Sequence, residues 1–517
     1  MRIAVSGDAC KHGPATGIAK GPQLANSLDP ILALGIALPR SGRGGLLRAV
    51  HTQLRAAIRD GRLQPGLQLP PTRTLAHALG VSRNTAVAAY DLLLSEGYLQ
   101  ARRGAGTYVS RARATLAPRS TRARAGKPPE LSEFWRNPPP LFPGVRRTDA
   151  PARYRYNFSI GEPDVSLFPF AMWRRLVARA ARAGSKDVLP CEPQGRAELR
   201  AAIAQHVSFT RAIACSADDI IVTAGSQQAF DLLARVLVTP RRTVVALEEA
   251  HYPPLRQVFR AAGARIVAAP VDLEGIVVDR IPTRARIVCV TPSHQLPLGA
   301  AMSFERRAAL LQFARRYRAS IIEDDYDGEY RFGQSPRDAL QTLDGDERVF
   351  YVGTFSKTLF PTVRVGYIVA PAWALAALIA AKQLTDRHTT VLMQDALTSF
   401  LTEGHLVRHV RKMTRVYAAR RAALLAALQR HSAEQLEPLP SEAGLHITAR
   451  LLVPVAASVV LARAAEAGIK VQTVSEFSIG KASLNGLGFG YGGIADGDVD
   501  PGVQLLANVI ARAARRR

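Results

Sequence analysis

The chain has 517 residues, 47% of them apolar, and a formal net charge of +26. That length is too great for one core and calls for two or more domains, while the absence of any apolar run of about 18 residues excludes a hydrophobic membrane-spanning helix. The opening MRIAVSGDACKHGP lacks the charged-then-apolar order of a secretion signal, and Cys10, Cys191, Cys215 and Cys289 are not at CxxC spacing, so neither a disulfide framework nor a zinc site is indicated and a reducing cytoplasm is expected.

Residues 1–43 are punctuated by Gly, Pro and Ser and read as an N-terminal extension, with room for one short strand near 31–38. Residues 44–110 read as a compact unit. GLLRAVHTQLRAAIRDGRL places Leu46, Leu47, Val50, Leu54 and Ile58 on one helical face, and Gly61 ends that helix. A second helix is expected over 71–79, then a tight turn at Gly80, then a third helix with Ser82 as its N-cap. Helix, glycine turn, helix is the helix-turn-helix layout. The third helix opens on Ser82, Arg83, Asn84 and Thr85, hydrogen-bonding side chains where a recognition helix meets bases and phosphates. YLQARRGAGTYVS then reads as two short strands around a basic glycine turn, a wing whose Arg102 and Arg103 would lie near phosphate or the minor groove.

Residues 111–150 read as a linker. RARATLAPRSTRARAGKPPE holds six basic residues before its first acid, and NPPPLFPG cannot sustain a helix. Residues 1–150 carry 22 Lys/Arg against 8 Asp/Glu, and the remaining chain 46 against 34. A GC-rich genome favours arginine everywhere, but it does not concentrate the excess at one end. That concentration points to a polyanion, most simply nucleic acid.

From 151 to 517 the pattern changes. Amphipathic helices alternate with short apolar runs: DIIVTAG, TVVAL, ARIVAAP, ARIVCVTP, ASIIEDD, RVFYVGT and VGYIVA. This alternation predicts an α/β domain with a mostly parallel sheet. Four of the strand ends carry chemistry. TAGSQQAFDLL offers Gly225, Ser226 and Gln227 at a helix start, where backbone N–H groups suit a phosphate. EEAHYPPL puts Tyr252 after a strand, able to stack on a ring. IIEDDYDGEY ends a strand with Asp324, Asp325 and Tyr326. GTFSKTLFPTVR places Lys357 after Thr354 and Ser356 and before Arg364. Taken singly, these features are what ordinary loops and surfaces offer. Together they meet the demands of pyridoxal 5′-phosphate (PLP): an amine for its aldehyde, a carboxylate for its pyridine nitrogen, and hydroxyls with a cation for its phosphate.

The phrase LPPTRTLAHALGVSRNTAVAAYDLLLSEGYL resembles the GntR family of winged helix-turn-helix regulators. By that resemblance Arg73, Arg83 and Thr85 contact DNA, with Asn84 and Arg103 added beside them. The order of phosphate turn, aromatic, strand-end Asp with Tyr, and Ser-Lys with a following Arg resembles fold-type I aminotransferases over nearly all of 155–515. The combination resembles the MocR/GabR-type regulators, of which TPSHQ, EDDYDGEYR and GTFSKTL are typical. The resemblance implies that Lys357 forms the Schiff base, Asp324 pairs with the pyridine nitrogen with Asp325 as a possible substitute, Tyr326 bonds the ring oxygen, and His294 and Gln295 lie against the ring edge. It also implies a head-to-tail homodimer with exchanged winged domains.

The sequence departs from the aminotransferase pattern where the amino acid would be held. The C-terminal SLNGLGFGYGG carries Asn485, Gly486 and Leu487 in place of a carboxylate-gripping Arg. Pro190 stands where a Tyr often reaches the partner's phosphate, and Pro254 where the γ-aminobutyrate-responding member has an Arg. A PLP-binding regulator sensing PLP, or an amine without a carboxylate such as a sulfonate, is therefore the first reading. An active aminotransferase with a vestigial DNA-binding unit is the alternative, and a cofactor-free dimerisation scaffold the third.

Overall fold

The computed structural model describes residues 36–38, 45–102, 104–111, 132–136, 139, 154–183, 192–333 and 338–515. The chain divides into two compact units, Met1–Leu131 and Ser132–Arg517. Arg103, Pro190, residues 1–35 and most of 111–150 lie outside the described residues, and 36–38 are not a strand.

In the first unit, helices α1 (Gly45–Arg59), α2 (Thr72–Leu79) and α3 (Arg83–Ser95) pack around Val50, Leu54, Leu75, Ala86, Ala89 and Leu93. The apolar face expected on α1 supplies Val50 and Leu54 to that core, with Leu47 and Ile58 packed against it. Gly80 ends α2 at φ 63°, a left-handed conformation that favours glycine, and its N–H closes onto the α2 carbonyls. Ser82 then caps α3, its hydroxyl accepting from the Thr85 N–H at 3.1 Å. Strands β1 (Gln68–Leu69), β2 (Leu99–Arg102) and β3 (Gly106–Val109) form a sheet in the order β1-β3-β2. The last two are the expected wing.

Each of the seven apolar runs becomes a strand of one sheet in the second unit. They are β4 (Ile220–Thr223), β5 (Val244–Glu248), β6 (Arg265–Ala269), β7 (Ile287–Val290), β8 (Ser320–Asp325), β9 (Val349–Thr354) and β10 (Gly366–Val369). Their order is β4-β10-β9-β8-β7-β5-β6. β10 runs antiparallel to both neighbours and every other pair is parallel. Helices cover both faces, so the strands are apolar throughout instead of alternating. Loops bearing the candidate residues leave the C-terminal edge of this sheet, where open α/β sheets place ligands. A second sheet follows the long helix His405–Ser432: β11 (Leu436–Pro438), β12 (His446–Leu451), β13 (Gln472–Thr473) and β14 (Gly486–Gly490), ordered β11-β12-β14-β13.

Candidate functional site

Lys357 follows β9. Its Nζ donates to the Gly161 carbonyl at 2.7 Å, and a Cβ at Gly161 would sit 3.3 Å from that nitrogen. Burial lowers the Lys357 pKa, while the carboxylates of Asp327, Glu162 and Asp324 pull it the other way. Lysine is thereby moved toward the neutral amine that attacks a carbonyl.

Asp324 and Asp325 are adjacent on β8 and have different environments. Successive strand residues face opposite sides of a sheet. Asp325 pairs with Arg211 and accepts the Tyr351 hydroxyl at 2.5 Å. Burial works against its charged form, but Arg211 and Tyr351 prevail and hold its carboxyl below the usual value. Asp324 has no such partner: its Oδ1 is buried without a hydrogen bond. Burial, with Asp325, Asp327 and Glu248 adding and Lys357 opposing, pushes its carboxyl up to about 8. A buried carboxyl carrying a proton and lacking a partner fits a pyridine nitrogen, which would accept that proton and pair with the carboxylate left behind.

The residues that could hold a phosphate include the N-terminus of α4 (Ser226–Leu237), where Gly225 has φ 80°. Arg364, itself at φ 50° after a short 3-10 turn, folds its guanidinium back to donate to the Ala224 carbonyl at 2.6 Å. A Cβ at Gly225 would lie 2.8 Å from that guanidinium, so only glycine leaves the cradle open. Thr354 and Ser356 bond each other at 3.1 Å. Tyr252 precedes α5 (Pro253–Ala261) and feels both Asp324 and Arg364, though burial is the larger cause of its raised pKa. Gly225 and Arg364 meet each other here, and Tyr252 lies within electrostatic reach of Arg364 and Asp324. The structure assigns the turn's own support to Gln228, next to the Gln227 singled out in the sequence: Gln228 accepts from the Ala224 N–H at 2.7 Å and from Lys382 Nζ at 2.8 Å.

Tyr326 and His294 are bound to each other. The Tyr326 hydroxyl donates to the His294 carbonyl at 3.0 Å and lies 3.1 Å from its Nδ1. That Nδ1 also lies 3.0 Å from Asp327 Oδ2. Gln295 turns to the strand ends, donating to Glu248 at 3.1 Å and to the Ala250 carbonyl at 2.6 Å. Glu248 ends β5, and burial pushes its carboxyl up to about 7 against the hydrogen bonds from Thr291 and Gln295. Glu248, Asp327, Gly161 and His446 are site residues that sequence reasoning misses. EEA at a strand end and the last acid of EDDYD are the available signals for two of them.

The missing clamp is explained locally. Asn485 accepts from the Ala457 N–H at 2.8 Å and donates to the Val455 carbonyl at 2.9 Å, so it holds the start of a C-terminal helix. A Cβ at Gly486 would meet the Ala449 carbonyl at 2.9 Å. Pro254 is buried near the start of α5. None of these positions offers a cation.

On the first unit, Arg73, Ser82, Arg83, Asn84 and Arg102 are exposed, with Thr85 half-buried beside them. Arg102 lies over the Tyr108 ring at 4.8 Å, which steadies one side of the wing. Among the described residues, no helix is long and apolar enough to cross a membrane.

Comparison with known proteins agrees with both halves. Residues 46–109 match the bacterial regulatory proteins of the gntR family, and residues 155–484 match the class I and II aminotransferases. The chain is 36% identical to the probable rhizopine catabolism regulatory protein MocR of Rhizobium meliloti, over 91% of this chain and 95% of that one. It is 33% identical to the pyridoxine biosynthesis transcriptional regulator PdxR of Corynebacterium glutamicum, over 85% and 90%. In structure it is similar to a kynurenine aminotransferase of Pyrococcus horikoshii, with a TM-score of 0.64, 28% identity, and coverage of 69% of this chain and 90% of that one. The chain therefore belongs to the MocR-type transcriptional regulators, in which a gntR-family winged helix-turn-helix domain is joined to a class I and II aminotransferase domain.

Proposed function

We propose that this regulator holds PLP on Lys357 and uses the cofactor site to sense PLP itself or an amine that reacts with it. The observation that carries the reading is the unpartnered, buried Asp324 Oδ1 in the same charged cluster as the Lys357 amine. PLP supplies an electron-withdrawing ring and an aldehyde. Around it, Asp324 would hold the pyridine proton, and Tyr252 would stack on the ring. Tyr326 and His294 would lie at the ring oxygen edge. Gly225, Ser226, Gln227, Thr354, Ser356 and Arg364 would enclose the phosphate. The winged domain, which we place at 44–110 after an extension of 1–43, would read promoter DNA through Arg73, Ser82, Arg83, Asn84, Thr85, Arg102 and Arg103. A linker over 111–150 would set the reach between the two heads of a head-to-tail homodimer of the 151–517 domain.

The aminotransferase alternative is weaker for a stated reason. Transamination needs an amino acid held in near-attack geometry, and the positions that would grip its carboxylate are occupied by Asn485, Gly486 and Pro254. The visible absorption spectrum of the protein with PLP, taken beside Lys357→Ala, tests the reading. A band near that of a lysine-bound PLP in the wild type alone is expected. Its absence with excess PLP would leave the large domain as a scaffold. Steady turnover with an amino acid and a 2-oxo acid would instead favour the enzyme.

A further inference from the structure

The wall of the site beyond Lys357 is rich in hydrogen-bond acceptors. His446 is fully buried on β12, its ring 4.4 Å from that of His294. Its Nε2 lies 2.9 Å from the Pro297 carbonyl, which can only accept, so the ring proton sits on Nε2. Nδ1 is then a lone pair, buried and without a partner. Polar side-chain atoms of His294, Asp327 and His446 lie within 4.8 Å of one another. Glu162 follows the Gly161 carbonyl that receives Lys357 Nζ, and its Oε2 accepts from Asn157 at 3.0 Å. Lys470 pairs with Glu162 at 3.4 Å, while Arg256 donates to the Ser478 carbonyl at 3.3 Å and Arg421 to the Ser441 carbonyl, each of these two arginines keeping its Nε without a partner. The rest of the wall is apolar, a cluster of Ala250, Leu296, Tyr326 and Phe477 with Ile160 against it.

We infer that the effector is an amine bearing further hydrogen-bond donors, hydroxyl or ammonium, and no acidic group, with His446 Nδ1 and the carboxylate of Asp327 receiving those donors. This rests on the cofactor reading above and narrows it. A carboxylate or a sulfonate would be brought beside the carboxylates of Glu162 and Asp327, and like charges at short range in a buried site repel. A donor finds a buried acceptor whose unmet state is itself costly.

The test uses four primary amines that share a two-carbon chain and differ only in the group at its far end, titrated calorimetrically into the PLP-loaded protein: 2-aminoethanol, 1,2-diaminoethane, β-alanine and taurine. The first two are expected to bind at least about tenfold more tightly than the last two, the ratio one charge-assisted hydrogen bond produces. His446→Phe removes the lone pair, keeps a ring, and leaves Thr448 donating to the Pro297 carbonyl. It is expected to weaken 2-aminoethanol about tenfold. Asp327→Asn, nearly isosteric, is a second variant expected to weaken 1,2-diaminoethane by a similar factor. Retention of the lysine-bound PLP band in each variant reports an intact fold. Equal or tighter binding of β-alanine or taurine overturns the inference, as does failure of both donor probes to bind. Loss of the band in the wild type would be a failure of the cofactor reading and is seen separately, before any amine is added.

Discussion

Asp324 owes its state to burial, with Asp325, Asp327 and Glu248 adding to it. In the cofactor-free protein it holds a proton up to about pH 8, and Glu248 up to about pH 7, whereas in the unfolded chain both lose theirs near their ordinary values of 3.8 and 4.5. The folded state thus binds more protons through this window, and stability from these two groups falls as pH rises. Asp324→Asn removes one of them. Its thermal midpoint without PLP is expected to gain on the wild type between about pH 6 and pH 8. With saturating PLP the ranking should reverse, because the wild type alone supplies a carboxylate to the pyridine nitrogen. A midpoint difference that is flat with pH, and unchanged by PLP, would remove Asp324 from the cofactor's environment.

The same two aspartates show what the sequence can and cannot say about the site. The cluster EDDYD is recognisable as acids at the end of an apolar strand, but the motif leaves open which acid faces the cofactor. The choice depends on Arg211 and Tyr351, which lie outside the motif and claim Asp325. Residues brought in from remote segments, Gly161 and His446, have no local signature, because their importance lies only in where the fold carries them.

At the scale of elements, the seven apolar runs become seven strands because a sheet covered on both faces needs no polar alternation, and such runs are easy to read. Wing and helix-turn-helix are legible through their caps and turns. Gly80 and Ser82 are the two joints that set α3 against α2. A Cβ added at Gly80 would have nothing within 4 Å of it, so Gly80→Ala tests backbone strain alone. It is expected to cost about 1–2 kcal/mol, the penalty of a left-handed L-residue. Ser82→Ala loses the cap and should cost about 1 kcal/mol. Denaturant unfolding of the winged unit within the full chain measures both. If Ser82→Ala weakens DNA binding while leaving stability unchanged, the cap is minor and the hydroxyl acts on DNA directly.

For the whole molecule, the question is how occupancy of one domain reaches the other. A small molecule changes DNA affinity only by binding unequally to the DNA-competent and DNA-incompetent arrangements. Linkage then requires a reciprocal effect: if PLP alters DNA affinity by some factor, DNA alters PLP affinity by the same factor. Electrostatics makes the two contributions separable. The DNA term, carried by a basic N-terminal part, should fall steeply with salt. The PLP term, set in a buried site, should not. The experiment is a thermodynamic square: promoter-fragment affinity with and without PLP, and PLP affinity with and without the fragment, each at two salt concentrations. Equal factors on opposite sides, with Lys357→Ala abolishing both, are expected of a sensor whose cofactor site controls the winged heads. A DNA affinity indifferent to PLP at both salts would uncouple the halves and leave the aminotransferase domain without a regulatory role through that cofactor.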